Sequence, residues 1–316
     1  MLRRAWVLSG REMDGISRLL SAARLEASLD RRCLLARSTR MNVAEYGERQ
    51  APFHVLLDGT CQLQIGRRLL NLNPGDVVVI PSGAPHRILT PGGSSRRGTA
   101  ESVQRNYIAT RTDGAGDPVI DLFCGHYTYG AGAGALLFGS LPEPLHVSFG
   151  RSEASADVLQ MLSSLMRGEA ERDADGTAAI LSGLCTVLLA MLLRTTPGTG
   201  GATQLWTAVS DRPIAEAIEA VIAEPGARWS IAGLSQLAGM SRATFVRHFS
   251  AAVGTSVGAF LTRVRLMAAA ELLIDSQQTV ASVARQVGYQ SESAFTRAFR
   301  AEFATTPAKF RRAQRV

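Results

Sequence analysis

Residues 234–249 read LSQLAGMSRATFVRHF, and residues 283–299 read VARQVGYQSESAFTRAF. The two stretches repeat one pattern, which is a small residue, a glycine four positions later, a serine, and two phenylalanines four positions apart. The second copy has one extra residue between the glycine and the serine. Phenylalanines at i and i+4 lie on one face of a helix, so each stretch predicts a helix whose aromatic face is buried.

The glycine and the serine of each copy predict a tight turn between two helices. Gly239 and Gly288 suit a left-handed backbone, which other residues adopt at a cost. Ser241 and Ser291 follow, and a serine at this place accepts a hydrogen bond from the start of the next helix. Each copy therefore predicts a helix-turn-helix whose second helix can enter the major groove of DNA.

The exposed side chains of the two second helices are the candidate base readers. Arg247 and Arg297 lie two residues after the first phenylalanine and point away from the buried face. Arginine binds guanine with two hydrogen bonds, which contributes roughly 1–3 kcal/mol of discrimination. Phosphate contact or a surface salt bridge is the alternative for both. The candidate DNA-binding residues are Arg242, Thr244, Arg247, His248, Gln290, Glu292, Ser293, Thr296 and Arg297.

Residues 210–312 resemble the AraC/XylS family of transcription regulators, because many positions at fixed offsets agree. The resemblance implies an all-α domain, double-stranded promoter DNA as the partner, and RNA polymerase as a further partner if the protein is an activator. It also implies a base-contacting arginine in each half. Val257 stands where the family often has proline, and Ala304 where it often has glycine.

The charge distribution fits the same segment. The chain has a formal net charge of +7, and residues 228–316 alone hold twelve basic and four acidic residues. A positive excess on the helix-turn-helix segment is what binding to the phosphate backbone requires. We expect arginines outside the two second helices, among them Arg265 and Arg311, to contact the DNA backbone or to remain solvated.

Strand patterns occupy residues 32–88, with Cys61-Gln-Leu-Gln-Ile alternating in polarity. The order of Gly75, Pro81, Gly83 and His86 resembles the second motif of the cupin superfamily, which implies a small β-barrel. The first cupin motif is poor, since only His54 stands in that region. A catalytic cupin needs three or four ligands on one open site. We therefore expect no metal, no cofactor and no enzymatic activity, with a metal-dependent cupin enzyme that carries a DNA-binding tail as the alternative.

The barrel segment is similar to the cupin sensor subgroup of AraC-type regulators, which includes a regulator that responds to reactive chlorine species. In that comparison Cys33 and Cys124 fall on the two cysteine positions, and His86 on the barrel histidine. A cysteine that senses oxidants should be exposed and low in pKa, and Arg31 and Arg32 precede Cys33. The alternatives are that both cysteines are buried apolar residues, or that the signal is a small molecule.

The remaining segments complete an α+β organisation. The apolar run Ala178–Leu193 predicts a helix of the core or of a homodimer interface, and it is expected to be too short to span a bilayer. Residues 90–118 predict a long mobile loop. No signal peptide is recognisable, so we expect a cytoplasmic protein that does not bind membranes. The predicted parts are a disordered stretch at 1–12, a cupin-like sensor domain at 13–150, a helical dimerisation segment and linker at 151–203, and a DNA-binding domain with two helix-turn-helix units at 204–316.

Overall fold

A computed structural model describes residues 15–114, 116–130, 133–149, 153–172, 174–195 and 212–313. They divide into a barrel unit, within residues 25–129 and 141–196, and a helical unit, within residues 1–24, 130–140 and 197–316. The predicted disorder at 1–12 lies outside the described residues, and so do the predicted boundaries at 150 and 203. These boundaries therefore stay predictions.

The barrel unit consists of two sheets. One has seven strands in the order β11-β6-β3-β10-β1-β9-β8, and the other has four in the order β2-β7-β4-β5. All pairs are antiparallel except β1 with β9. The strands are β1 (Glu26–Ala36), β2 (Arg40–Val43), β3 (Gln50–Asp58), β4 (Cys61–Ile65), β5 (Arg68–Leu72), β6 (Asp76–Val79), β7 (His86–Leu89), β8 (Thr99–Val103), β9 (Ile108–Thr112), β10 (Pro118–Thr128) and β11 (Leu145–Ser148).

The core of the barrel unit lies between the inner faces of the two sheets. Leu35, Leu122 and Val78 of the larger sheet pack in one buried cluster with Leu63 and Ile88 of the smaller sheet. Strands alternate the direction of their side chains, so Cys33 and Leu35 of β1 and Ile120, Leu122 and Cys124 of β10 all reach this cluster. The predicted cupin-like barrel is confirmed.

The prediction of a long loop across residues 90–118 is wrong. Strands β8 and β9 form an antiparallel hairpin there, and β9 runs parallel to β1 over Arg31–Leu34. The sequence favours a loop because Gly and Ser cluster before β8, and because β8 is exposed along most of its length. An edge strand of this kind has no apolar alternation that the sequence can reveal.

Two helices follow the barrel strands, α3 (Glu153–Arg172) and α4 (Thr177–Thr195). Helix α4 packs on β1, and the Tyr127 hydroxyl donates a hydrogen bond to the Cys185 carbonyl at 2.9 Å. With 19 residues, α4 is long and apolar enough to cross a membrane by length and composition, so the expectation that it is too short is wrong. One such helix is weak evidence for a span, because a helix packed in a core passes the same test.

The helical unit contains the two predicted helix-turn-helix pairs. Its helices are α1 (Gly15–Ala22), α2 (Ala133–Ser140), α5 (Arg212–Ala223), α6 (Ile231–Leu237), α7 (Arg242–Val253), α8 (Val257–Asp275), α9 (Val280–Gln286), α10 (Glu292–Phe303) and α11 (Pro307–Ala313). Helices α6 and α7 form the first pair, α9 and α10 the second, and α8 joins them. Helix α2, which the sequence did not predict, packs against α1 and α8.

Candidate functional sites

The four candidate sensor residues come together inside the barrel unit. Cys33 lies on β1, Cys124 on β10, His54 on β3 and His86 at the start of β7. Strand β10 lies between β1 and β3, and Cys124 pairs directly with His54. Cys33 pairs with Leu122, which places it diagonally from Cys124.

Their side chains form one continuous chain of contacts, which we call the sulfur–imidazole chain. The Cys33 and Cys124 Sγ atoms are 3.7 Å apart, and Cys124 Sγ is 3.1 Å from His54 Nδ1. His54 Nε2 is 2.6 Å from His86 Nε2, and His86 Nδ1 is 2.8 Å from the Ala84 carbonyl oxygen. All four side chains are buried.

The carbonyl at the end of this chain sets the direction of its hydrogen bonds. The Ala84 oxygen can only accept, so His86 Nδ1 carries a proton and donates it. In a neutral His86 the Nε2 atom then accepts from the Nε2–H of His54. The Nδ1 atom of a neutral His54 is therefore the acceptor for the thiol of Cys124.

Burial keeps Cys124, His54 and His86 neutral. It raises the pKa of Cys124 well above the ordinary range, and the hydrogen bond with Cys33 adds to this rise. Burial, followed by the charge of His86, lowers the pKa of His54 well below 6.5. Burial also lowers the pKa of His86, against the opposing effect of its bond to Ala84. These three side chains therefore rest as one thiol and two neutral imidazoles.

Of the two alternatives for the cysteines, exposed thiols beside cations or buried residues, the structure shows buried ones. Cys33 is 0% and Cys124 3% exposed. Arg31 forms an ion pair with Glu101. Arg32 lies on the opposite face of β1 from Cys33, where it bonds Asp121 and the Glu171 side chain of α3. The same strand that carries a cysteine inward thus carries its neighbouring arginine outward.

The donors of the sulfur–imidazole chain do not converge on one point. His54 contacts Cys124 through Nδ1 and His86 through Nε2, and these two nitrogens point in divergent directions. Among the described residues no group of three or more His, Cys, Asp or Glu side chains is arranged to hold a metal ion. The geometry is that of a hydrogen-bonded relay.

The second candidate site consists of the outer faces of α7 and α10. Ser241 and Ser291 accept hydrogen bonds from the Thr244 and Ala294 backbone N–H groups, so both predicted N-caps are present. Gly239 and Gly288 have φ angles of +62° and +90°, the left-handed region that the turns were predicted to need.

The predicted base readers lie on these outer faces. The phenylalanines at 245, 249, 295 and 299 are buried, which turns the opposite face outward. Arg247 and Arg297 are exposed and have no hydrogen bond or ion pair with other described residues. Thr244 and Thr296 are half-buried, and the exposed remainder of the candidate set is Arg242, His248, Gln290, Glu292 and Ser293.

Two arginines expected at the DNA backbone or in solvent are bound within the protein. Arg265 donates to the Pro225 and Ala227 carbonyls at 2.9 and 3.0 Å. Arg311 donates to the Leu273 and Gln278 carbonyls at 3.2 and 2.6 Å. Both guanidinium groups hold loops of the helical unit in place. The sequence did not reveal this, because each arginine lies more than thirty residues from the carbonyls that it binds.

A depression beside α7 was not predicted from the sequence. It is open and largely apolar, and the start of α6 forms one wall. Ser230 caps α6, because its side chain accepts a hydrogen bond from the Gly233 N–H. A serine directly before a helix is a signal that could have been recognised in the sequence. The depression is lined by Ser230, Ile231, Ala232, Arg242, Ala243, Val246 and Arg247.

Known proteins match both units. A cupin family model matches residues 14–196, and a helix-turn-helix domain model matches residues 234–313. The chain is 31% identical over 301 residues to an uncharacterized HTH-type transcriptional regulator of Haemophilus influenzae, covering 95% of this chain and 99% of that one. It belongs to the AraC family of transcription regulators.

Two further relatives of this AraC-family regulator match along almost the whole length. The HTH-type transcriptional regulator MtrA of Neisseria gonorrhoeae is 28% identical, covering 95% of this chain and 98% of that one. The RCS-specific HTH-type transcriptional activator RclR of Escherichia coli is 25% identical, covering 95% and 97%. The relatives are named as regulators and not as enzymes, so the alternative of a cupin enzyme with a DNA-binding tail is not supported.

Proposed function

We propose that this AraC-family regulator changes its binding to promoter DNA when an oxidant joins Cys33 and Cys124 in a disulfide. The observation that carries the proposal is the 3.7 Å separation of the two sulfur atoms on neighbouring strands. A disulfide bond is about 2.05 Å long, so the sulfurs must approach by about 1.7 Å. Closing this gap requires rotation of the two side chains and a shift of β1 against β10.

The oxidant class is a small neutral electrophile such as hypochlorous acid. Two thiols and one hypochlorous acid give one disulfide, one water and one hydrogen chloride, and the chlorine accepts the two electrons that the sulfurs lose. Support comes from the name of RclR, which describes an RCS-specific activator. A neutral molecule also reaches buried thiols at less desolvation cost than an anion does.

The DNA-reading role is proposed for the exposed faces of α7 and α10. Arg247 and Arg297 are the principal base readers, because both are exposed, unpaired among the described residues and set on N-capped helices. The other candidate residues supply further base and phosphate contacts. A positive charge excess over residues 228–316 supports binding to the phosphate backbone.

A homodimer through α3 and α4 is part of the proposal. Val158, Met161 and Leu165 of α3 lie at helical spacing and are exposed, Met161 to 67%. Ile180 and Val187 of α4 are also exposed, and α4 packs against α3. Covering such a surface with a second copy removes apolar area from water. Changing Met161 to Asp should then shift the mass measured by light scattering from dimer to monomer, whereas Gln160→Asp on the same helix should not.

The remaining assignments follow from the class of protein. A regulator that binds promoter DNA works in the cytoplasm, and as an activator it contacts RNA polymerase. RclR and the virulence activator VirF of Yersinia enterocolitica are named as activators. Activation is therefore the proposed direction of regulation.

The experiment that tests the oxidant response is a DNA-binding titration with and without hypochlorous acid. The DNA is the region upstream of the protein's own gene, and thiols are counted in the same samples. Cys33→Ser and Cys124→Ser should abolish the change in affinity and the loss of two thiols. Cys61→Ser is the matched control, since Cys61 is a buried cysteine of the same core cluster.

Two results would contradict the proposed disulfide signal. If Cys33→Ser and Cys124→Ser still respond fully to the oxidant, the disulfide is not the signal. If the wild type binds DNA tightly and ignores the oxidant, the barrel unit is a cysteine-independent sensor of a small molecule, and the search for its ligand begins at His54 and His86.

A further inference from the structure

We infer that Cys124 is the thiol that the oxidant attacks first, and that His54 is the base that takes its proton while His86 holds His54 in the required tautomer. This inference assigns separate roles to the four residues of the proposed sensor site, and it rests on that proposed function. Cys33 is then the resolving thiol, which closes the disulfide.

The contacts of the two cysteines distinguish them. Cys124 Sγ has the Nδ1 atom of His54 at 3.1 Å, which can accept a proton. Cys33 Sγ has the Met41 Sδ atom at 3.6 Å and the Cys124 sulfur at 3.7 Å. A thioether does not act as a base at neutral pH, so within the described part of the chain no comparable proton acceptor contacts Cys33. A thiol reacts as its thiolate, and only Cys124 has a partner that can produce one.

The base is necessary because the resting protein holds little thiolate. Burial raises the pKa of Cys124, and Cys33 and Asp30 act in the same direction, whereas Arg31 acts against them. His54 faces the sulfur from β3, and His86 of β7 contacts His54 rather than the sulfur. Tyr46 lies near enough for a charge on Cys124 to raise its pKa. Proton transfer at the moment of attack avoids the cost of a free buried thiolate.

His86 acts as a positioning residue. Its bond to the Ala84 carbonyl fixes its proton on Nδ1, so its Nε2 atom accepts from His54. This acceptance keeps the proton of His54 on Nε2 and leaves Nδ1 free to face the thiol. Without an acceptor at this place, His54 can adopt the other tautomer, in which Nδ1 carries a proton and cannot take one from Cys124.

The reaction balances in two steps. Cys124 Sγ attacks the chlorine of hypochlorous acid, an S–Cl bond forms and the Cl–O bond breaks. The thiol proton passes to His54 Nδ1 and then to the departing hydroxide, which leaves as water. Cys33 Sγ next attacks Cys124 Sγ, the S–S bond forms, the S–Cl bond breaks, and chloride leaves with the proton of Cys33.

The test is the rate at which iodoacetamide alkylates each cysteine of the native, reduced, full-length protein. Peptide mass spectrometry follows Cys124, Cys33, Cys61 and Cys185 in one reaction. All four cysteines are buried, so Cys61 reports on opening of the barrel and serves as the reference. We expect Cys124 to react faster than Cys33 in the wild type.

The histidine variants separate the base from its support. His54→Asn should lower the Cys124-to-Cys61 rate ratio by at least about tenfold. This is less than the full contribution of a general base, because water can partly take the place of the imidazole. His86→Leu should lower the ratio as well, whereas His86→Gln should restore it, since a glutamine oxygen can accept from His54. His126→Asn is the control, because His126 lies on β10 as Cys124 does but contacts Asp30.

Two results overturn the inference. One is a wild type in which Cys33 reacts faster than Cys124, and the other is an unchanged ratio in His54→Asn. Because the ratio is normalised to Cys61, general loosening of the fold does not imitate either outcome. The oxidant titration of DNA binding is independent of this test, so a regulator that ignores oxidant but shows the predicted ratios would defeat the proposed function and leave the base assignment standing.

Discussion

The barrel unit and the helical unit hold their candidate functional residues in opposite ways. Cys124 and His54 are buried and hydrogen-bonded to each other. Arg247 and Arg297 are exposed and have no partner among the described residues. Buried side chains in a fully hydrogen-bonded site contribute to stability, and their reactivity depends on their neighbours. An exposed side chain is available for binding, and its substitution changes the stability of the fold very little.

This difference matters for how a signal can be selective. In the proposed function, the exposed arginines contact a large polyanion and are therefore accessible at all times. The proposed sensor cysteines must not react with the many weak oxidants and thiols of a cell, and burial with a raised pKa at Cys124 favours this. The following predictions test each side of the contrast, in order of decreasing effect.

The largest effect concerns the exposed arginines. Arg247→Ala and Arg297→Ala should each weaken binding to the specific DNA site by roughly 1–3 kcal/mol, or about 5- to 150-fold. Their losses should add, because the residues lie on different recognition helices. The free energy of unfolding should stay within about 0.5 kcal/mol of the wild type.

Titration against specific and scrambled DNA checks this prediction. Arg67→Ala, at an exposed turn of the barrel unit, is the control and should change neither affinity nor stability. Equal weakening on both DNA sequences would mean that the two arginines contact phosphates, and the base-reading assignment would be lost.

The next effect concerns the buried histidine. His54→Leu should lower the free energy of unfolding by about 1–3 kcal/mol, because it leaves the buried Nε2 acceptor of His86 unpaired and removes the bond between His54 and the Cys124 thiol. Urea unfolding measures the change. His248→Leu, on the exposed face of α7, should be nearly neutral. A neutral result for both variants would remove the contrast between the two units.

The third prediction concerns pH. The pKa of His54 is lowered in the folded protein, so below about pH 6.5 the unfolded chain binds more protons than the folded one does. Stability should therefore fall as the pH drops below 6.5, by up to about 1.4 kcal/mol per pH unit for this residue. His86 adds a second contribution of the same sign.

Unfolding in urea between pH 7.5 and pH 5.5 measures this dependence. His54→Leu should show a shallower slope than the wild type, while His248→Leu should keep the full slope. Parallel slopes in the wild type and His54→Leu would contradict the assignment of a neutral, buried His54.

The smallest effect lies within the helical unit, where its two halves differ. Helix α7 ends on Gly254 with φ +73°, and α10 ends on Ala304 with φ +54°. Alanine in this left-handed region costs about 1 kcal/mol relative to glycine. Ala304→Gly should therefore stabilise the protein by about 1 kcal/mol, and Gly254→Ala should destabilise it by a similar amount. A shift of both unfolding midpoints in the same direction would contradict this reasoning.

Much of the helical unit was predictable from the sequence. The phenylalanine spacing, the two turn glycines and the two capping serines are local signals, and the structure contains each of them at the predicted residue. The resemblance to the AraC family agrees with the same positions. The features of this unit that were not predicted depend on distant partners. Arg265, for example, donates hydrogen bonds to carbonyls that are 38 and 40 residues away in the sequence.

The barrel unit was predictable only in outline. Alternation predicted β4, and strand patterns were recognised across residues 32–88, but the exposed hairpin β8–β9 and the helix α2 were missed. The cysteine and histidine positions were predicted from a resemblance, and the sequence left open whether the cysteines are exposed or buried. Burial is decided by which strands become neighbours, and no local pattern specifies that.

The sequence by itself determined the two helix-turn-helix pairs, the placement of positive charge and the family. Each of these follows from residue types and local spacings along the chain and needs no long-range contact. Only the tertiary structure decided that Cys33 meets Cys124 across 91 residues, and that His54 meets His86 across 32. It also decided which way the protons point, since one backbone carbonyl at Ala84 orients both imidazoles. Long-range contact and the exclusion of water are properties of the packed fold, and they set the chemistry of these four side chains.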